Sequence, residues 1–337
     1  EFEEKFAAYV GSQYAIATSS GTGALETLMN ASGLKEGDEV IIPAQTFIAT
    51  ASSVVSCGLR PVFAETNENF LLDFEDMKSR ITSKTKAVIL VHYGGLIDSK
   101  VFEMCSWLKD KNIFLFEDAA HSHGASLKGL KAGNIGDGAA FSFYSTKNMT
   151  TGEGGMITTN NPELANRCAS IRSRGLNLKA GYEIFDELGT NQRMTEVQAL
   201  MGLSQLSRLD EFVAHRDMIA QTYSIFLKPL SEKGLIRLPL SNTGNSVHAN
   251  WRYVVFLLKN KNREKLREQM ATHSVNIDWA YQPLVHLQPI MKKLFNNQAG
   301  NLPLTEGLAD THFCLPIHLN ISKDDAKYIG KLISEYL

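Results

Sequence analysis

Short continuous apolar runs alternate with helix-spaced apolar positions through the first half of the chain. Thr22 to Gly33 places Ala24, Leu25, Leu28 and Met29 on one helical face, and Gly33 can end that helix. Five runs then read as strands: Asp38–Pro43, Pro61–Ala64, Ala87–His92, Ile113–Glu117 and Ala139–Phe143. They lack polar alternation, as expected of strands covered by helices on both faces. Val101 to Asp110 is one of the helical stretches between them. Gly154–Thr159 adds another strand. The pattern predicts an α/β fold with a mainly parallel sheet.

A long helix is expected from Thr195, where Thr195 and Gln198 fit a capping box. Its apolar positions are Val197, Leu200, Met201, Leu206, Leu209, Phe212 and Val213, and it is expected to bridge two domains. The remainder reads as a smaller α+β unit, with Trp251–Leu258 as its clearest strand and Lys323–Leu337 as its closing helix. The division expected is a large domain over 1–228 and a small one over 229–337. Repeats and low-complexity linkers are not visible, so the two should be packed together.

The chain of 337 residues suits such a pair of cores. Its net charge of −2 carries no electrostatic signature of nucleic acid or an anionic membrane. No apolar run approaches the roughly 20 residues of a membrane span, and no signal peptide is visible. The opening EFEEKFAAYVG reads as the middle of an amphipathic helix, so a preceding segment is expected in the natural protein. Cys57, Cys105, Cys168 and Cys314 are far apart and form no C-x-x-C pair. Buried free thiols in a reducing cytoplasm are expected, without zinc or disulfides.

Three positions carry candidate chemistry. Ligands of open α/β sheets sit beyond the carboxyl ends of strands. Asp118 follows one such strand and Lys147 follows the next. Ser20–Gly21–Thr22 opens a helix, and a helix N-terminus with glycine and hydroxyls suits a phosphate. Taken singly, Lys147 reads as a surface lysine, Asp118 as a helix cap and Ser20–Thr22 as a turn. Converging on one cleft, they meet the needs of pyridoxal phosphate (PLP). That cofactor requires a lysine to hold its aldehyde, a carboxylate beside its ring nitrogen, and amides and hydroxyls around its phosphate. The lysine must also lose its proton, which burial favours.

The segments SSGTGAL, GDEVIIPAQTFIATA, EDAAHSHGA, SFYSTKNMTTGEGG and GTNQRMTEVQALMGLSQLSRLDE resemble the DegT/DnrJ/EryC1/StrS family of sugar aminotransferases. YQPLVHLQP and LPIHLNIS extend the likeness toward the C-terminus. The resemblance implies the aspartate-aminotransferase fold (PLP fold type I) and a PLP cofactor. It implies that Lys147 holds the cofactor and shuttles a proton, that Asp118 pairs with the ring nitrogen, and that His121 hydrogen-bonds the ring hydroxyl. Gly21, Thr22 and Ser142 would bind the phosphate, and Phe47 would cover the ring face. Asn191 would reach the phosphate of a partner subunit, and Arg193 would touch substrate across the same interface of a homodimer.

Other polar positions are weaker. His121 and His123 alone do not make a closed metal site. His123 reads as a core or supporting histidine, and His92 as either cleft lining or packing. His286 keeps the family's spacing from Tyr281, but Val285 interrupts the usual Pro-Leu-His. Gly133–Gly138 is not a dinucleotide fingerprint, and the Asn148–Thr150 sequon is read as chance.

The activity expected from the resemblance is transfer of an amino group, from glutamate, to a nucleotide-linked 3- or 4-keto-deoxysugar in the cytoplasm. Pyridoxamine-phosphate dehydratases of the same fold carry histidine where this chain has Lys147. A keto-cyclitol or keto-acid sugar acceptor, or a non-catalytic PLP-binding regulatory role, are the alternatives. The latter lacks a helix-turn-helix pattern or basic patch here. Gly175 to Leu188 is the first candidate for substrate selectivity.

Overall fold

The computed structural model describes residues 1–177, 180, 182–258 and 262–337. The N-terminal helix α1 (Phe2–Val10) turns its Phe2, Phe6 and Val10 inward and ends at Gly11, whose φ of 86° suits only a residue without a Cβ. Strand β1 (Tyr14–Thr18) follows, then helix α2 (Gly21–Ala31). Ser20 caps α2 by accepting the Gly23 amide at 3.0 Å. The predicted face of α2, with Ala24, Leu25, Leu28 and Met29, is buried.

Next come β2 (Glu39–Pro43), α3 (Ile48–Ser56), β3 (Arg60–Ala64), α4 (Phe74–Ser79), β4 (Thr85–Val91), α5 (Val101–Lys109) and β5 (Phe114–Asp118). A hairpin of β6 (Ser126–Leu127) and β7 (Leu130–Lys131) precedes β8 (Gly138–Ser142) and β9 (Gly155–Thr159). Among the described residues these build a seven-stranded sheet of order β1-β9-β8-β5-β4-β2-β3. The neighbours from β3 through β8 are parallel, and β9 runs antiparallel to both β8 and β1. Val40, Ile41, Ile42, Val88 and Ile89 are wholly buried, as the unbroken apolar runs require of a sheet covered on both faces. Strand β1 escapes the sequence pattern because its Tyr14 and Ala15 are not buried.

After α6 (Pro162–Arg172) the expected single helix is two. Helix α7 (Glu196–Leu206) starts at the predicted Thr195–Gln198 capping box, and α8 (Leu209–Glu232) follows a break at Ser207–Arg208. The apolar period crosses the break, which is why the sequence alone hides it. Val197, Leu200 and Met201 on α7 are 68%, 66% and 44% exposed, so they do not supply the core of this chain.

The second half contains β10 (Ile236–Arg237), β11 (Ser246–Val247), β12 (Tyr253–Leu257), α9 (Arg263–Ala271), α10 (Pro289–Phe295), α11 (Pro303–Thr311), β13 (His312–Leu315) and α12 (Lys323–Tyr336). A small sheet of order β10-β12-β13 packs its buried face with α8, α9 and α12. Helix α8 runs through residues 228 and 229, and Ile219, Tyr223, Leu227 and Leu230 from it belong to this smaller core.

Three links bind the second half of the chain to the first. Strand β11 pairs with β6. Val285, Met291 and Leu302 enter the large core. Glu65, just past β3, accepts the amides of Leu304 and Thr305 at 3.1 and 2.8 Å, capping α11 from across the molecule.

Candidate active site

The carboxyl ends of β2, β5 and β8 open onto a cavity of about 500 Å³. Its wall includes Gly21, Thr22, Phe47, Asp118, His121, Ser142 and Lys147, so the structure gathers every expected cofactor residue of this kind except Asn191. Asp118 closes β5 and is buried. Its Oδ2 accepts the Thr50 hydroxyl at 2.7 Å and its Oδ1 accepts the Ala120 amide at 3.2 Å. Burial pushes its carboxyl above the usual range despite those donors. A buried acid in that condition favours a cationic partner, as a protonated ring nitrogen would be.

Lys147 sits on the loop after β8, held by a hydrogen bond from its amide to the Tyr144 carbonyl at 2.9 Å. Its Nζ lies 4.4 Å from the Trp251 ring centroid. Burial lowers its pKa to about 8; Asp118 opposes that shift and Arg252 adds to it. At neutral pH a larger share of its amine is therefore uncharged than for an ordinary lysine.

Residues that the sequence did not single out complete the site. Trp251 stacks on His121 with centroids 3.7 Å apart and planes 11° apart. Its indole nitrogen donates to the Thr146 carbonyl at 2.8 Å, next to Lys147. Asn148, on the other side of Lys147, donates to the Ala249 carbonyl at 2.7 Å. The lysine loop is thus stitched to the segment that enters β12. Tyr281 meets His121 Nε2 through its hydroxyl at 2.9 Å. Gln45 donates to the Ala280 carbonyl at 3.0 Å and to Tyr93 at 3.1 Å, fixing the chain before Tyr281. Arg252 lines the same cavity.

His121 Nδ1 is buried without a protein partner among the described residues. Burial, reinforced by the charge of Lys147, holds the imidazole well below its ordinary pKa, so it is neutral. A neutral ring with one free nitrogen can hydrogen-bond a ring hydroxyl.

At the other end, α2 presents its first turn beside Ser142. Ser20 occupies the Gly23 amide, and the Gly21 and Thr22 amides have no intrahelical acceptor. A Cβ on Gly21 would lie 2.7 Å from Ser142 Cβ and 3.1 Å from its Oγ. Only glycine keeps that hydroxyl and helix end in one cradle. The donor set, the acid and the orphaned histidine nitrogen fit PLP. Phe47, half exposed, stands at the rim with its ring 5.7 Å from that of Tyr281.

Asn191 and Arg193 are exposed and do not line the cavity of this chain. Gln192 between them points inward and binds the Ser19 hydroxyl at 2.5 Å. The selectivity candidate Gly175–Leu188 lies partly outside the described residues, at 178, 179 and 181; its described residues do not line the cavity.

The remaining histidines have partners elsewhere. His92 binds the buried Glu117 at 2.8 Å. Glu117 also accepts the amides of Gly133, Ile135 and Gly136, so His92 packs rather than lines the cleft. His123 lies against Phe141 and Phe143, and burial lowers its pKa to about 3. His286 is buried against Glu306 at 3.1 Å, away from the cavity. Among the described residues no group of three His, Cys, Asp or Glu could hold a metal. The four cysteines are free, with Cys168 and Cys314 buried but Cys57 and Cys105 only half-buried, which corrects the expectation for those two. No described helix is long and apolar enough to cross a membrane.

A profile of the DegT/DnrJ/EryC1/StrS aminotransferase family matches residues 1–334. GDP-perosamine synthase of Caulobacter vibrioides is 36% identical over 340 residues, covering 100% of this chain and 89% of that protein. dTDP-3-amino-3,6-dideoxy-alpha-D-galactopyranose transaminase of Aneurinibacillus thermoaerophilus is 33% identical over 342 residues, with coverage of 100% and 89%. The crystal structure of an aminotransferase from Psychrobacter cryohalolentis superposes with a TM-score of 0.93 at 31% identity, over 99% of this chain and 89% of that one.

Proposed function

This chain belongs to the DegT/DnrJ/EryC1/StrS family of PLP-dependent aminotransferases, and from that membership we propose that it aminates a nucleotide-linked keto-deoxysugar with glutamate as donor. The observation that carries the reading is the single cavity holding a partly neutral Lys147, a buried Asp118 and the Gly21–Ser142 cradle. Relatives named for perosamine and aminodideoxygalactose synthesis support the acceptor class.

PLP, when bound, supplies an aldehyde that exchanges amines and a ring that stabilises negative charge. Lys147 is the residue to hold it covalently and, once its amine is released, to carry a proton to and from the substrate carbon. Its depressed pKa lets one group serve as nucleophile, base and acid near neutral pH. Asp118 supplies a fixed negative charge for a protonated ring nitrogen, and Thr50 and Ala120 keep that carboxylate aimed. His121 offers its free Nδ1 to the ring hydroxyl, with Trp251 and Tyr281 preventing rotation. Gly21, Thr22 and Ser142 bind the phosphate, and Phe47 shields the open ring face.

The functional molecule in this reading is a homodimer. The exposed apolar side chains Val197, Leu200 and Met201 of α7 support it. Asn191 and Arg193, exposed just before that helix, would then serve the partner's cavity. The division into units at 1–228 and 229–337 belongs to the same proposal, with α8 shared between them. The free thiols support a reducing, cytoplasmic setting.

The test is a half-reaction spectrum. PLP-loaded protein mixed with L-glutamate should lose its visible band, and Lys147→Ala should show no such change. Absence of a band in the wild-type protein would overturn the Lys147 assignment. A band that glutamate leaves intact would overturn the donor.

A further inference from the structure

Among the described residues, Lys147 and Arg252 are the two lysine or arginine side chains that line the cavity, and Asp118 and Glu153 are its acids. Lys147 is committed to the cofactor in the function proposed above, on which this inference rests. Arg252 then remains as the permanent cation. Its NH1 donates to Asp278, and its guanidinium carbon lies 4.8 Å from the Trp251 ring centroid. Its Nε is buried with no hydrogen-bond partner among the described residues. One edge of the fork is therefore anchored, while a donor on the other is unused. Asp278 is half exposed, so water screens part of its hold on the cation.

An amino-acid donor must bring a carboxylate into this cavity. That carboxylate is bonded to the carbon whose proton Lys147 removes, so it must sit close to Lys147. Arg252 shares the Trp251 wall with Lys147, whose Nζ is 4.4 Å from the same ring. We propose that Arg252 binds the α-carboxylate of the amino-acid donor, and of the keto acid that leaves, with Asp278 and Trp251 fixing the plane of its guanidinium. The amino sugar formed afterwards lacks that carboxylate, so Arg252 favours donor over product in the shared site.

The experiment uses PLP-loaded wild type, Arg252→Gln, Arg252→Lys and Asp278→Asn. Rapid mixing gives the half-saturation concentration for L-glutamate and, separately, for L-alanine. Calorimetry gives the affinity of the unreactive dicarboxylate glutarate. Loss of one charge-assisted pair should raise both half-saturation values in Arg252→Gln by roughly 10- to 100-fold and weaken glutarate by a similar factor. Arg252→Lys should restore part of that loss. Asp278→Asn, which keeps the cation and loosens its anchor, should cost less than Arg252→Gln. The keto-sugar half-reaction of the pyridoxamine-phosphate form should change at least tenfold less than the donor half-reaction.

Unchanged glutamate saturation and glutarate affinity in Arg252→Gln would overturn the assignment. A loss for glutamate but not alanine would move Arg252 to the donor's side-chain carboxylate, and a larger loss with the sugar would move it to the acceptor; both overturn the proposal. Should no amino acid discharge wild type while Arg252 still governs glutarate, the transfer reading fails and the carboxylate site stands.

Discussion

Thr50→Val tests the hold on Asp118 with a change of almost no volume. The Thr50 hydroxyl donates to Asp118 Oδ2 at 2.7 Å, in a place where both side chains are buried. Burial already pushes the carboxyl toward its neutral form, and this donor is the largest influence opposing it. A hydrogen bond to a buried charge is worth about 1.5–3 kcal/mol. If that stabilisation is transmitted to a cofactor ring nitrogen, Thr50→Val should weaken PLP binding roughly 10- to 150-fold, at 1.4 kcal/mol per decade. Thr46, whose hydroxyl lies 2.7 Å from that of Thr50, supplies the comparison. Thr46→Val removes a neighbour of Thr50 without touching Asp118 and should cost far less. The assay is titration of apo protein with PLP, followed by quenching of tryptophan fluorescence and by the visible band. Thermal melts of both apo variants separate lost affinity from lost fold. A PLP affinity for Thr50→Val within twofold of wild type, with the melt unchanged, would refute the reasoning that Asp118 must be held ionised to retain the cofactor.

Four further outcomes follow from the same geometry. Gly21→Ala puts a Cβ 2.7 Å from that of Ser142, so it should destabilise the apo fold by about 1–3 kcal/mol and weaken PLP further, as read by denaturation and titration. Glu117→Gln leaves His92 and three backbone amides around a neutral group, and should cost about 3–5 kcal/mol in urea denaturation. Burial would raise the Glu117 pKa, but the His92 bond and the loop amides outweigh it and hold it below 4.5; its stabilisation is therefore full above that value and lost as pH falls through the lower folded value, so the variant should flatten the acid arm of the stability profile. For Lys147, whose pKa is lowered to about 8, the rate of PLP capture should rise with pH and level off above about 8, and a rise continuing to 10.5 would show an unperturbed amine. Leu200→Glu, on the exposed face of α7, should yield monomers by light scattering and little transaminase activity, while a dimer of full activity would remove α7 from the interface.

The parts of the site that were legible share one property: each sits where a local pattern ends. Asp118 and Lys147 follow unbroken apolar strands, and Ser20–Gly21–Thr22 precedes an amphipathic helix, so strand and helix rules place them without a partner segment. The helix break at Ser207–Arg208 was hidden because the apolar spacing continues through it. Exposed Val197, Leu200 and Met201 read as core for a related reason: periodicity reports that a face is apolar and not what covers it. Trp251 and Arg252 read only as the start of a strand, and Tyr281 only as part of a matched segment, because no local pattern gives their side chains a place in the site. Trp251 and Arg252 precede a small-sheet strand and Tyr281 lies in an irregular loop, more than 100 residues from Lys147.

That distance changes what holds the reactive lysine in its state. Lys147 owes its lowered pKa first to burial, and part of its cover is Trp251, from a segment more than 100 residues further along the chain. Trp251 is fixed in turn by its bond to the Thr146 carbonyl and its stack on His121. The segment carrying it is fixed by the pairing of β11 with β6 and by the Ala249 amide bonded to Gly95. The large sheet places the lysine just past a strand end, and the second half of the chain supplies part of the cover over it. Trp251→Ala should accordingly raise the Lys147 pKa toward 10.5 while leaving the seven-stranded sheet intact. The PLP-capture profile would shift alkaline without loss of far-ultraviolet ellipticity. A profile still levelling off near 8 would show that the large unit buries the lysine by itself.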